Sequence, residues 1–328
     1  MSKTYRAIAL FSGGLDSLLS VKWMEKVGVE VIPVFFKTPF FTEERAILTA
    51  QANALKLEVV DFSEAHLEML KHPRYGFGKN FNPCIDCHGL MFQHAGELMS
   101  DYNADFLISG EVLSQRPMSQ RRDAMNAVAR LSGYKDLLIR PLSQKLLPDT
   151  KPIRDGWIKI EDMLDINGRS RKRQMELASE LGIIEFPSPA GGCRLTDQNF
   201  SLRLKELVDH NQLNLTDISL LKFGRHFRLP DGAKLIVGRD ENDNEQILAN
   251  KAEYFILEND AIPGPLGLLC HPTSSAETLS LAASILAFYY TKAAEEMIVY
   301  YGTDMPLTKS ISVYKVKEDL VRKYIITR

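Results

Sequence analysis

At 328 residues with 45% hydrophobic side chains, the chain is long enough for two domains and carries a core of ordinary size, which excludes a natively unstructured protein. Its formal net charge of -2 excludes the overall basic field of a general nucleic-acid binder, so any such partner must meet local patches. Four cysteines, three of them at Cys84, Cys87 and Cys193, are too few for a secreted disulfide framework and point to reduced thiols or a metal centre.

From the N-terminus, Arg6 to Phe11 reads as a strand that meets the loop Ser12-Gly13-Gly14-Leu15-Asp16-Ser17, and Leu18, Leu19, Val21, Trp23, Met24 and Val27 follow at helical spacing up to Gly28. Val31 to Phe36 reads as a second strand, Glu43 to Lys56 as a helix, Leu57 to Asp61 as a third strand, and Asp105 to Ser109 as a later one after another helix. This alternation predicts an α/β fold, a Rossmann-like parallel sheet with helices on both faces and ligands at the carboxyl ends of the strands, where Ser12, Lys37 and Gly110 fall. His72 to His88, with glycines, asparagines and two prolines, is expected to be an irregular functional loop delivering Cys84 and Cys87. A second irregular region, Pro141 to Trp157, leads to Gly168-Arg169-Ser170-Arg171-Lys172-Arg173 and a helix ending near Gly182, then to Pro189-Ala190-Gly191-Gly192-Cys193. Beyond about residue 200 come a helix, short strands turning at Asp231-Gly232 and Gly238, and a late helix from Ser275 to Val299. The expected domains are residues 1–199 and a smaller α+β domain, residues 200–328, with no internal repeat. The longest apolar run, Leu279 to Tyr290, is interrupted by Ser280 and Ser284 and falls short of the ~20 residues needed to cross a bilayer. With no signal peptide legible before Ser12, a cytoplasmic location and no membrane partner are expected.

In a Ser-Gly-Gly-x-Asp-Ser loop between strand and helix, Gly13 and Gly14 let backbone N–H groups approach phosphate oxygens, Ser12 and Ser17 donate hydroxyl hydrogen bonds, and the helix N-terminus adds a favourable field. Bare phosphate repels Asp16, so its place is at one remove, ordering the loop or holding Mg2+. The loop has no lysine, unlike loops that retain a γ-phosphate. Its residues resemble the N-type ATP pyrophosphatases, of the adenine nucleotide alpha hydrolase fold. The resemblance implies ATP cleaved between α- and β-phosphates to adenylate a carbonyl oxygen, with Phe36 and Gly110 bordering the adenine; ordinary core packing is the other reading of Phe36.

The segment Asn82-Pro83-Cys84-Ile85-Asp86-Cys87-His88 resembles the catalytic-cysteine segment of the tRNA 2-thiouridine synthetases, with Cys87 in the catalytic place and Cys84 where that family has aspartate. Cys193 matches the second sulfur-handling cysteine. Ser109 to Gln120, with Gly110, Glu111 and Gln120, closely resembles a stretch of the tRNA 4-thiouridine synthetases, and Glu111 and Gln120 are suited to orient ATP or a uridine carbonyl, or else to cap the next helix. The resemblance covers about residues 5–197 and implies an ATP-dependent tRNA sulfurtransferase forming AMP and pyrophosphate. Cys84, Cys87 and Cys193 are then expected to hold a 4Fe-4S cluster, with a persulfide relay between Cys193 and Cys87 or a structural zinc site as alternatives. Free sulfide or a cysteine desulfurase would supply the sulfur, and Cys270 reads as a buried structural thiol.

Contacts to tRNA are expected from Arg116, Gln120, Arg121, Arg122, Arg169, Arg171, Lys172 and Arg173, although charge runs are often merely solvated helix faces. The C-terminal region, with Gly224-Arg225-His226-Phe227-Arg228 and Val237-Gly238-Arg239-Asp240, faintly resembles the RNA-binding modules of NFACT proteins, implying contacts from Arg225, His226, Arg228 and Arg239. Only eleven residues precede Ser12, so RNA recognition is expected to follow the catalytic domain. The rival readings are an amide- or lysidine-forming ligase on the same scaffold, which needs no thiols, and a non-catalytic RNA- or ribosome-binding factor that keeps the nucleotide loop.

Overall fold

The computed structural model describes residues 3–183, 185–187, 193–270 and 275–327. The backbone divides into two compact units, Met1–Thr196 and Asp197–Arg328. The first runs β1 (Arg6–Leu10), α1 (Leu15–Lys26), β2 (Glu30–Lys37), α2 (Glu44–Ala52), β3 (Glu58–Asp61), α3 (Ser63–Lys71), α4 (Cys84–Glu97), β4 (Phe106–Ile108), α5 (Arg122–Leu131), β5 (Leu138–Ile139), α6 (Lys151–Arg154) and α7 (Lys172–Glu180). Its sheet has the order β3-β2-β1-β4-β5 and every pairing is parallel.

Side chains alternate across this sheet because successive Cβ atoms point to opposite faces. Ala7 and Ala9 of β1, Phe35 of β2 and Phe106 and Ile108 of β4 pack with Leu18, Leu19 and Met24 of α1 and Leu177 of α7. Ile8, Val34, Phe36 and Leu107 pack on the other face with Phe92 of α4 and Val128 of α5. Strand order reverses at β1, whose neighbours are reached on opposite sides. The crevice past the carboxyl ends of β1 and β4 is therefore the natural ligand site.

Three elements depart from the sequence reading. The helix expected over Glu43–Lys56 stops at Ala52, because Asn53 turns its amide back onto the Thr49 carbonyl at 2.9 Å and Ala54 takes the left-handed conformation with φ 52°. The stretch expected to be irregular up to His88 gives way at Cys84 to α4, which places both cysteines in a first helical turn closed by Cys87 N–H to the Pro83 carbonyl at 2.9 Å. The late helix ends at Phe288, and Glu296–Gly302 is a strand in which Met297 and Val299 are buried while Glu296 and Ile298 face out.

The second unit comprises α8 (Gln198–Asp209), α9 (Leu215–Leu220), β6 (Arg225–Arg228), β7 (Lys234–Val237), α10 (Glu241–Ala249), β8 (Phe255–Glu258), β9 (Gly267–Cys270), α11 (Ala276–Phe288), β10 (Glu296–Gly302), β11 (Lys309–Tyr314) and α12 (Glu318–Tyr324). Its six strands pair antiparallel in the order β11-β10-β8-β9-β7-β6. Leu235, Leu257 and Leu269 pack one face against Ala282, Ala283 and Leu286 of α11, and Ile236, Ile256, Leu268 and Cys270 pack the other with Leu220 and Ile247. Among the described residues, no helix is long and apolar enough to cross a membrane.

Candidate active site

A cavity of about 500 Å3 opens past the ends of β1 and β4, and Ser12, Gly14, Asp16, Ser17, Phe36, Gly110 and Glu111 all line it. Ser12 and Ser17 hydroxyls lie 3.2 Å apart, Gly14 N–H donates to the Ser12 hydroxyl at 3.3 Å, and Ser17 Oγ donates to the Gly14 carbonyl at 2.8 Å. Gly14 is the N-cap of α1 and has no side chain with which to cap it. A first turn without a side-chain cap presents its N–H groups to an anion. Gly13 has φ +71° and a Cβ there would stand 2.7 Å from the α2 backbone at Ala46, so the loop's glycine is required twice over. Gly110 is equally tight: an added Cβ would meet the Ser17 N and Cα at 2.7 Å. Phe36 is 2% exposed, packs against Phe62 at 5.1 Å and also reaches the cavity wall.

Asp16 is held by a chain of amides that sequence reasoning did not anticipate. Gln115 Nε2 donates to Asp16 Oδ2 at 2.6 Å, and the fully buried Gln174 of α7 donates through Nε2 to Gln115 Oε1 at 2.8 Å. Burial raises the Asp16 pKa, and Gln115, Arg171, Arg116 and Gln174 pull it back. Its other oxygen, Oδ1, is buried and has no hydrogen-bond partner among the described residues. An unpartnered carboxylate oxygen beside a phosphate loop fits a divalent cation such as Mg2+.

Cys84, Cys87 and Cys193 all line the same cavity. Asp86 accepts Arg74 N–H at 2.7 Å and Tyr75 N–H at 3.0 Å, which fastens the preceding loop to the start of α4. Asn82 Nδ2 lies 2.9 Å from Cys84 Sγ. Cys193 is brought in by the residues that follow it, Arg194 N–H to the Phe40 carbonyl and Asn80 Nδ2 to the Thr196 carbonyl, each 3.1 Å. Pro189 to Gly192, expected to lead into it, lie outside the described residues. Burial pushes the Cys87 thiol well up, with Cys193, Cys84 and Asp86 adding to it, and burial pushes Cys193 up to about 11. Three thiols lining one cavity have the chemistry to suit a soft metal centre. Among the described residues, however, no group of three or more His, Cys, Asp or Glu side chains stands ready to hold a metal ion, so the thiols share a cavity without forming a finished ligand set.

Glu111 neither caps a helix nor turns a free carboxylate to the cavity. Arg140 Nε donates to Oε2 at 2.9 Å and His88 Nδ1 meets Oε1 at 3.0 Å. Burial alone would raise its pKa, but Arg140 and then His88 outweigh that and hold the carboxyl down to about 2. Neither partner was foreseen, and with Nδ1 engaged on Glu111 the ring nitrogen of His88 left open is Nε2.

The residues expected to meet RNA are sorted by the fold. Arg116, Arg171 and Gln120 line the cavity, and the guanidinium groups of the two arginines have no hydrogen-bond or ion-pair partner among the described residues. Arg121 pairs with Asp123 at 2.5 Å, Arg122 donates to the Leu146 carbonyl at 3.0 Å, and Arg173 pairs with Glu180 at 2.6 Å. Arg169 and Lys172 stay exposed. In the second unit His226 is wholly buried with Nε2 on the Phe223 carbonyl, Arg228 is tied to Glu206 and Gln212, and the exposed Arg239 pairs with Asp243. Arg225 lies 4.7 Å over the Tyr289 ring. Cys270 is fully buried, as expected.

Residues 3–145 match the family model described as Thiamine biosynthesis protein (ThiI), and residues 224–325 match that described as NFACT protein RNA binding domain. A probable tRNA sulfurtransferase of Caldanaerobacter subterraneus subsp. tengcongensis is 36% identical over 204 residues, 49% of this chain and 50% of that protein. One from Thermoanaerobacter sp. (strain X514) is 31% identical over 121 residues, 34% of this chain and 30% of the relative. The chain thus spans 30% to 50% of the length of these curated relatives. A solved 4-thiouridine synthetase–RNA complex with bound ATP aligns with a TM-score of 0.40 and 22% identity, over 55% of this chain and 41% of that one. In sequence, then, the chain resembles the tRNA sulfurtransferases through the parallel-sheet unit and the NFACT RNA-binding domain through most of the antiparallel one.

Proposed function

We propose that this chain is a cytoplasmic ATP-dependent tRNA sulfurtransferase that replaces a uridine carbonyl oxygen with sulfur. One observation carries the reading: the phosphate-type loop and three thiols line a single cavity. ATP docks with its phosphates on the Ser12–Ser17 loop, Asp16 Oδ1 offers the oxygen for Mg2+, and Arg116 and Arg171 receive the β- and γ-phosphates rather than RNA. The uridine carbonyl oxygen attacks the α-phosphorus, its P–O bond forming as the bond to pyrophosphate breaks. Hydrosulfide held on the thiol side then adds to the activated carbon, the C–O bond breaks, and AMP leaves with one proton released. Cys84, Cys87 and Cys193 would hold a 4Fe-4S cluster, which when bound leaves one iron open to sulfide and so supplies the sulfur. Sulfide itself or a cysteine desulfurase would be the donor. Arg169 and Lys172, with the NFACT-like unit, are the groups left to grip tRNA.

Single Cys84→Ser, Cys87→Ser and Cys193→Ser variants are expected to lose thiolated product by about 100-fold or more, read by nucleoside mass spectrometry of tRNA. Full thiolation by all three would defeat the sulfur reading and favour a ligase on this scaffold. Anaerobically purified protein should be coloured and contain iron; iron-free protein that still thiolates would overturn the cluster and favour the persulfide relay. RNA-stimulated conversion of ATP to AMP separates an enzyme from a binding factor. Arg116→Ala and Arg171→Ala are each expected to weaken ATP roughly 10-fold or more while leaving AMP unchanged, because each removes a charge-assisted bond to the pyrophosphate portion alone. Equal losses for ATP and AMP in calorimetry would count against that placement.

A further inference from the structure

The Arg140–Glu111–His88 chain ends in the cavity and the reaction as written leaves it without a task. Its anchor is firm: Arg140 is buried, donates through Nη2 to the Met125 carbonyl at 3.2 Å, and takes Gln144 Oε1 on its backbone N–H at 2.9 Å. Glu111 spends both carboxylate oxygens, one on Arg140 and one on His88. A carboxylate has no proton to give, so His88 Nδ1 carries the hydrogen and, in the neutral imidazole, Nε2 is left as a lone-pair acceptor. Nε2 has no hydrogen-bond partner among the described residues, and His88 lines the cavity. Its position is also informative: His88 follows Cys87 on α4, while Glu111 follows Gly110, whose Cα is packed on the Asp16–Ser17 backbone. The imidazole therefore stands where the nucleotide loop and the thiols meet, the place an activated base must occupy.

We infer that His88 reads the pyrimidine: its Nε2 accepts the N3–H of a uracil ring and thereby aligns the flanking carbonyl for adenylation. Uracil presents N3 as a donor, whereas cytosine presents a lone pair there and is repelled, so the residue selects uridine over cytidine. A site built to hydrogen-bond one group discriminates strongly against an analogue that lacks it. Arg140 and Glu111 are positioning residues that fix the tautomer and the ring angle, the role outer partners play behind metal-bound histidines.

This inference rests on the uridine reading, and two measurements keep the failures apart. With α,β-methylene-ATP present, the full chain is titrated with UMP, CMP and 3-methyl-UMP. UMP is expected to bind about 10-fold or more tighter than either of the others. His88→Ala should bring UMP down to the CMP level with the affinity for the ATP analogue held within about twofold, and His88→Gln, whose amide oxygen can replace the acceptor, should restore part of the preference. No measurable UMP binding, no preference for UMP in the unaltered chain, or an undiminished preference in His88→Ala would each overturn the assignment. In parallel, thiolation of tRNA by the unaltered chain tests the parent reading. Thiolation at an unchanged rate in His88→Ala sinks His88 alone, whereas absence of thiolation with the UMP preference intact sinks the sulfur chemistry alone.

Discussion

Gly110→Ala is expected to abolish measurable ATP binding, a loss of roughly 100-fold or more, with the parallel-sheet unit still folded. The added methyl would lie 2.7 Å from Ser17 N and Cα and 2.9 Å from the Asp16 carbonyl carbon. All of these are backbone atoms, so no side chain can swing aside. One partner in the clash follows a central strand and the other is the first turn of α1, and overpacking of this kind costs about 1–3 kcal/mol in a well-packed core. The cheapest relief is displacement of the α1 turn, which is the turn that would hold the phosphates. Gly28→Ala is the control: nothing lies within 4 Å of its added Cβ, although φ is +92°, so it should lose about 1–2 kcal/mol of stability through backbone strain and no ATP affinity. Calorimetric titration with ATP beside thermal melts of both variants distinguishes the two effects. Unchanged ATP affinity in Gly110→Ala would show that the cavity is not the nucleotide site.

Arg140→Met should be the most destabilising single change in the parallel-sheet unit, by about 3–5 kcal/mol, because it leaves the buried Glu111 carboxylate without its nearest cation. Pairing it with Glu111→Gln should recover much of the loss, since the uncompensated charge goes with the carboxylate. The pH dependence carries a defined sign. Glu111 titrates at about 2 in the folded chain against an ordinary 4.5, so the unfolded chain binds the proton more readily across that interval. Its contribution, of order 3 kcal/mol, is fully present above about pH 4.5 and is lost as pH falls toward about 2. Urea unfolding between pH 6 and 3 should show that decline in the unaltered protein and a flatter profile in Arg140→Met. Parallel profiles would mean that Arg140 does not control this carboxyl.

Local chemistry is what could be read in the sequence. The Ser12–Ser17 loop announces itself because two glycines, two hydroxyls and a carboxylate sit within six positions, and the alternation of strands with helices around it identifies a parallel sheet. Side-chain partnerships formed by folding were hidden. Glu111 finds Arg140 and His88 at separations of 29 and 23 residues, and Asp16 finds Gln115 at 99. No spacing rule encodes those distances. The basic residues illustrate the same limit: Arg171 and Arg173 are two positions apart, yet one lines the cavity at the Ser12–Ser17 loop and the other is spent on Glu180. Boundaries failed where composition and geometry disagree. Glycine, asparagine and proline before Cys84 disguised a helix start, and the Ala, Glu and Met residues after Phe288 read as helix although burial there alternates with the period of a strand.

The central position of β1 has a thermodynamic corollary. Its residues Ala7, Ile8 and Ala9 are at most 1% exposed, packed on both faces and paired on both edges. Amides in such a strand exchange with solvent only when the whole cooperative unit opens. A ligand seated on the turn that continues this strand is therefore coupled to global opening of the unit: at a hundred times its Kd it adds about 2.7 kcal/mol to the free energy of that opening. Deuterium uptake at Ala7–Ala9 thus doubles as an occupancy gauge for the loop, slowing by roughly 100-fold at that saturation in the equilibrium exchange regime.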